Sequence, residues 1–379
     1  MEHVAGLVWN YGIVFVLILT VVVFVHELGH YLVARRNGVK IDVFSIGFGK
    51  ELVGWTDKAG TRWRISLLPL GGYVRMFGDA DEASATADPR PMTDEEKAVS
   101  FRHKRVGQRA AIVAAGPIAN FLFAIAGLAI MFMALGQPVA EPVIGEVQPG
   151  SAAAAAGLKS GDRILAIDGT EIERFQDIQR IVRLEMERLL TLSVERDGNQ
   201  FTVTARPRVI ERKGLFGDLE KVPVLGISAD QARMRVVHHG PGTALWASLR
   251  ETESMVTSTF VGIGQMISGT RAADELGGPI RIAKGAGEAA QLGVPSVVFY
   301  TILLSLNLGL INLFPIPVLD GGHLLFYAIE AILGRPLGER AQEYGFRIGL
   351  FLVLALMVFA TRNDIVSLPL WDVVKRLFS

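Results

Sequence analysis

The sequence predicts an α-helical polytopic membrane protein of about four spans, with an inserted α/β domain and a β-hairpin at the membrane edge. Three observations predict it. Half of the 379 residues are hydrophobic and mean hydropathy is +0.36. Apolar runs approaching membrane length recur near both ends of the chain. Between the second and third runs, short alternating segments and Asp-Gly turns read as a water-exposed α/β domain. Formal net charge is zero, so there is no global basic field, and nucleic acid is not an expected partner. The chain has no Cys, which excludes disulfides and thiolate metal sites and leaves His, Asp, Glu and water to hold any metal.

The spans are justified in order. The first runs from about Gly6 to Val33; a cleaved signal peptide is rejected because no small-residue cleavage site follows the apolar core. The second, about Ala110 to Leu135, carries only Asn120 as a strongly polar residue. A third runs from about Val294 to Leu319, dotted with Ser305, Asn307 and Asn312. The fourth, about Ile348 to Ala360, is short unless Tyr344 to Arg347 and Thr361 extend it. Arg35, Arg36 and Lys40 follow the first span, and Arg102, Lys104, Arg105 and Arg109 precede the second. The positive-inside rule therefore puts residues 36–108 in the cytoplasm and the N-terminus and residues 136–293 outside it. The domain boundaries expected are 1–140, 141–235, a connector over 236–293, and 294–379.

His26-Glu27-Leu28-Gly29-His30 ends the first apolar run. On a helix, His26 and His30 share a face and can present nitrogens to one ion, while Glu27 is placed to act as general base on a water at that ion. Chance puts this pattern into a chain of this composition in about 0.7 % of cases, and ionisable groups in membrane segments are usually functional. The expected cofactor is zinc. A catalytic zinc takes three protein ligands, so a third is needed. Asn312-Leu313-Phe314-Pro315-Ile316-Pro317-Val318-Leu319-Asp320-Gly321-Gly322-His323 ends the third run with an acid lacking a nearby basic mate. Two prolines break the helix there, and broken backbone at membrane depth lines a protein or water-filled cavity. Asp320 is the expected third ligand; His323 is the rival, and a plain Asp-Gly-Gly turn is the bland alternative.

In the inserted domain, Pro142 to Val147 alternates as a strand, Ser151 to Ala156 forms a short helix, and Arg163 to Ile167 runs into a hairpin at Asp168-Gly169. A helix is expected over Phe175 to Leu190, then a second hairpin around Asp197-Gly198. The string Pro149-Gly150-Ser151, Ala155-Ala156-Gly157-Leu158, Gly161-Asp162-Arg163-Ile164, Ile167-Asp168-Gly169 resembles a bacterial PDZ domain. That resemblance implies peptide binding by strand addition, with Leu225, Gly226 and Ile227 as the carboxylate-binding loop. In 241–293 only an amphipathic helix over Thr243 to Met266 and a turn at Leu276-Gly277-Gly278-Pro279 are expected.

Taken together, His-Glu-Leu-Gly-His and Asn-Leu-Phe-Pro-Ile-Pro-Val-Leu-Asp-Gly-Gly resemble the site-2 protease family of intramembrane zinc metalloproteases, its bacterial RseP branch in particular. Further matches are Ala34-Arg35-Arg36, Phe44-Ser45-Ile46-Gly47-Phe48-Gly49, Leu70-Gly71-Gly72-Tyr73-Val74 and Ala115-Gly116-Pro117-Ile118-Ala119-Asn120-Phe121. The resemblance implies Asp320, not His323, as ligand, Glu27 as the base, and Asn312 with Pro315 and Pro317 as a segment that helps hold substrate. It implies that the hairpin of Phe44 to Lys50 and Trp63 to Met76, with Gly47, Gly49, Gly71 and Gly72, receives an unwound substrate as an added strand. Implied partners are the bilayer and single-span membrane proteins trimmed first by another protease; the implied location is the bacterial inner membrane, with the PDZ-like domain on the periplasmic side. One departure is that the RseP branch carries two tandem PDZ domains and only one is legible here. The competing classes are a non-catalytic PDZ scaffold and a proton-coupled transporter, the latter lacking the internal repeats expected of that fold.

Overall fold

A computed structural model describes residues 2–79, 92–185, 188–213, 219–268 and 277–367. In chain order the elements are α1 (Glu2–Arg36), β1 (Ile41–Thr56), β2 (Arg62–Met76), α2 (Asp94–Val99), α3 (Val106–Ala134), β3 (Gln137–Ala140), β4 (Ile144–Val147), α4 (Ala152–Ala155), β5 (Arg163–Ile167), β6 (Thr170–Glu171), α5 (Phe175–Leu184), β7 (Leu190–Arg196), β8 (Asn199–Ala205), β9 (Arg208–Lys213), β10 (Leu219–Val224), β11 (Ile227–Ala229), β12 (Met234–Val237), α6 (Pro241–Ile267), α7 (Pro279–Gln291), α8 (Val294–Asn312), α9 (Asp320–Leu333) and α10 (Glu339–Ser367). They fall into two compact units, 1–127 with 277–379, and 128–276, the division lying within α3.

Among the described residues, four helices are long and apolar enough to cross a membrane: Tyr11–Arg36, Val106–Ala134, Val294–Asn312 and Arg340–Val366. The protein is a multi-pass membrane protein. The third span stops at Asn312, seven residues short of the expected Leu319, because Pro315 and Pro317 cannot continue the backbone ladder. The fourth is longer than its apolar core, extended at its start by polar residues that pair on the helix surface, such as Arg347 with Glu343 at 2.5 Å.

The hairpin turns back on itself. Residues 41–46 register against both 72–76 and 62–65, and 51–56 against 62–66, so two strands make a sheet of four short segments. Gly47 and Gly49, both at φ +86°, sit where β1 bends. The turn is tied to α1: Asp57 Oδ2 accepts from Tyr31 Oη at 3.1 Å and from Trp63 Nε1 at 3.0 Å. Phe44 stacks on Trp63 with centroids 4.2 Å apart. Buried Ala34, Val39, Ile41, Met76, Phe101, Ile112 and Val113 form the core beneath it.

Helices α2, α7 and α9 of the first unit were not expected from the sequence. α7 packs against α1, with Gly287 lying under the Tyr11 ring, and it also buries Gly285, Ala286 and Ala289. Its N-terminus is capped from α10: both Asp364 oxygens accept backbone N–H groups, from Gly278 at 2.8 Å, Ile280 at 3.0 Å and Arg281 at 3.1 Å.

The second unit is built on the sheet β6-β5-β7-β8, with β11 paired to β4, β12 to β3 and β10 to β9. The two Asp-Gly turns take left-handed φ at Asp168, Gly169, Asp197 and Gly198, as two-residue hairpin loops require. The helix expected over Phe175 to Leu190 ends at Leu184. Leu190, Leu192 and Val194 are each fully buried and alternate along β7, so burial at period two claims Leu190 for the sheet. Asp162 has no exposed side-chain surface and is bound by the Arg196 guanidinium at 2.6 and 2.7 Å. Burial pushes this carboxyl up, but Arg196 and the Lys159 N–H outweigh it and hold Asp162 below the ordinary carboxylate range.

Candidate metal centre

Glycines set the distance between the helices that build this centre. At Gly29 of α1 a Cβ would strike the Ala115 carbonyl oxygen and come within 2.7 Å of the Ala119 Cβ, so α1 and α3 touch backbone to backbone. At Gly116 of α3 a Cβ would strike His30 Nε2 and lie 2.9 Å from His26 Cε1. The two rings therefore occupy the space that a side chain at 116 would fill.

His26 and His30, one turn apart on α1, are 7 % and 8 % exposed, with Nε2 atoms 3.2 Å apart. Asp320 Oδ2 lies 3.1 Å from His26 Nε2 and 3.6 Å from His30 Nε2, and one ligand atom from each of the three residues fits within 4.8 Å of the others. His30 Nδ1 is 2.9 Å from the Ile112 carbonyl, an acceptor only, so Nδ1 bears the proton and Nε2 offers a lone pair. Asp320 Oδ2 is buried with no hydrogen-bond partner among the described residues. Lone pairs aimed at one point with an orphaned carboxylate oxygen are costly alone and fit a cation. Two imidazoles and one carboxylate, with a fourth position open, are the donor set of a catalytic zinc.

Asp320 opens α9, where Leu319 is the N-cap. Gly321 and Gly322 follow because a Cβ on either would collide with the carbonyl oxygens of Leu313, Phe314 or Ile316. Val318, β-branched, is held at φ +109°, so the turn into Asp320 carries backbone strain. Further along α9, Glu330 pairs with Arg109 of α3 at 2.5 Å, both side chains about 15 % exposed.

Glu27 lies beside β2: a Cβ at Gly72 would be 3.3 Å from Glu27 Cγ and 3.0 Å from Val23 Cγ1, so this glycine admits the strand next to the carboxylate. Of the other residues singled out, Asn312 ends α8 half-buried, Pro315 is exposed, and the Pro317 carbonyl abuts Gly349 of α10. Gly71 sits under the Phe48 ring. His323 is not in the cluster; its ring packs on Phe346 at 5.3 Å. In the second unit Leu225 is buried, and the Leu225 and Gly226 carbonyls accept from Ala153 N at 2.8 Å and Gln148 N at 2.9 Å. Ile227 there pairs with Val147. Sequence reasoning missed Gly116 as a contact of both histidines; its signal was a small residue four positions before the lone polar Asn120 of the second span.

A sequence profile of peptidase family M50 matches residues 14–356. A protein of Agrobacterium fabrum named "Putative zinc metalloprotease" is 47 % identical over 367 residues, 96 % of this chain and 97 % of its own. A Rhizobium meliloti protein with the same designation is 46 % identical over 356 residues, 93 % and 95 % of the two chains. "Metalloprotease MmpA" of Caulobacter vibrioides is 40 % identical over 387 residues, 96 % and 97 % of the two chains.

Proposed function

Because the chain belongs to peptidase family M50 and is a multi-pass membrane zinc metalloprotease, we propose that it hydrolyses peptide bonds inside the transmembrane segments of single-span membrane proteins, in regulated proteolysis of a membrane-bound signalling regulator. The observation that carries this reading is the convergence of His26, His30 and Asp320 beside Glu27 on a membrane-length helix. His26, His30 and Asp320 would hold the zinc. Bound there, zinc supplies Lewis acidity, lowering the pKa of water toward 7 and polarising a carbonyl.

The remaining work falls to the chain's own groups. Glu27 takes the proton of the attacking water and returns it to the leaving amine. A helical substrate hides its carbonyls in its own ladder and must be unwound. Residues 72–76 have one neighbour, 41–46, in the register, and no strand among the described residues covers their other edge. The strand lies against Glu27 at Gly72, so a substrate strand added to its edge comes close to the base. Gly47, Gly49 and Gly71 bend the sheet, and Asn312, Pro315 and Pro317 hold the substrate from the opposite segment. The 141–235 region is a PDZ-like domain on the periplasmic side of a bacterial inner membrane. It filters substrates by size after a first protease has trimmed them, and Leu225, Gly226 and Ile227 border its peptide groove.

The test is Glu27→Gln in purified protein with a single-span substrate. Zinc content stays at one per chain and cleavage is lost, while the wild type cuts at bonds that mass spectrometry maps inside the apolar segment. Cleavage confined to the flanking polar regions, or full activity of Glu27→Gln, overturns the proposal.

A further inference from the structure

Each imidazole that offers Nε2 to a metal must carry its proton on Nδ1, and something must accept that proton. For His30 the acceptor is the Ile112 carbonyl. For His26 the neighbour of Nδ1 is Nδ2 of the Asn120 side-chain amide, at 3.2 Å. Asn120 has no exposed surface. It is fixed from behind: its backbone carbonyl accepts from Ser305 Oγ at 3.2 Å, and its Cβ would lie 3.1 Å from a Cβ at Gly309 of α8. Its Oδ1 is buried without a hydrogen-bond partner among the described residues, so contact with His26 is the polar task the geometry gives this side chain.

As placed, Nδ2 faces the ring, the arrangement of a metal-free site, and a half-turn of the amide exchanges it for Oδ1. His26 Nε2 faces Asp320 Oδ2 and His30 Nε2, so in the zinc-loaded protein it is the lone-pair atom, Nδ1 is N–H, and the group opposite must be an acceptor. We propose that Asn120 is a positioning residue of the metal centre whose Oδ1 accepts the His26 Nδ1 proton and fixes the ring in its zinc-binding tautomer. This rests on the reading of His26 as a ligand. With no metal, the same amide turned over donates N–H to Nδ1 and leaves the proton on Nε2, facing Asp320.

Two nearly isosteric substitutions separate an acceptor from a filler of space. Asn120→Asp keeps an acceptor and removes the donor; Asn120→Leu keeps the volume and removes both. Zinc affinity of the full chain in detergent is read by competition with a chelator, and His26 protonation by 15N resonances of histidine-labelled protein. Asn120→Leu is expected to weaken zinc about 10- to 100-fold, the usual loss when a group that orients a metal ligand is removed. Asn120→Asp is expected to stay close to wild type and to show His26 with N–H at Nδ1. Equal loss in both variants, or N–H at Nε2 of His26 in the loaded wild type, overturns the proposal. Unchanged zinc affinity in Asn120→Leu overturns it too. His26→Ala is the arm that separates the two readings: if it retains zinc, the ligand assignment fails, whereas its loss beside a zinc-free Asn120→Asp sinks only the tautomer role.

Discussion

Replacing Gly116 by Ala puts one methyl group where the histidines sit. The new Cβ would strike His30 Nε2, lie 2.6 Å from His30 Cε1 and lie 2.9 Å from His26 Cε1. Ordinary carbon contacts are about 3.5–4.0 Å, so the rings must retreat by about 1 Å. The helices cannot part to relieve this without opening the Gly29 contact, where α1 already rests on the Ala115 carbonyl. Metal–ligand distances tolerate about 0.2 Å, so both imidazoles leave bonding range together. Zinc affinity should fall at least about 100-fold, which is about 2.8 kcal/mol, with cleavage lost in parallel. The control is Gly107→Ala on the same helix, where nothing lies within 4 Å of the added carbon. Metal analysis after dialysis against a graded chelator series reads both. A Gly116→Ala protein with wild-type zinc affinity would refute the claim that the rings fill this space.

Three further outcomes are expected. Asp320→Ala should lose zinc while His323→Ala, whose ring lies against Phe346, keeps it; metal content decides. Asp364→Ala removes the cap of three α7 amides and should cost about 2–3 kcal/mol, read as a lowered thermal midpoint in one detergent. Asp162 is held below the ordinary carboxylate range, so its contribution to stability is complete above about pH 4 and is lost as pH falls through its depressed folded value. Arg196→Gln leaves that buried carboxylate without its partner and should cost up to about 3 kcal/mol at pH 7; protease resistance of residues 141–235 against pH should then lose its fall at low pH.

The cluster of His26, His30 and Asp320 was legible because each member carries its own signal: two histidines at helical spacing, and an acid stranded after prolines in an apolar run. The Asp-Gly turns were legible because few residues tolerate their backbone. What escaped depends on distance. α7 buries glycine and alanine in place of large apolar side chains, so its contact face carries little of the hydrophobicity by which a core helix is recognised. Asp364 looks like a polar interruption near the end of a span until the start of α7 is brought to it. Asn120 stood out as the polar residue of the second span, yet its partner lies 94 positions away. Leu190 sits where a helical and an alternating pattern both fit, and burial decided for the strand.

About 290 residues separate His30 from Asp320. During synthesis at roughly 5–20 residues per second, the histidines and Glu27 wait about 15–60 s before the carboxylate that completes their centre has been made. For that interval the nascent chain holds two imidazoles and a carboxylate on one helix without the acid that closes the cluster. The cluster therefore cannot close before residue 320 has been made, however early α1 has folded.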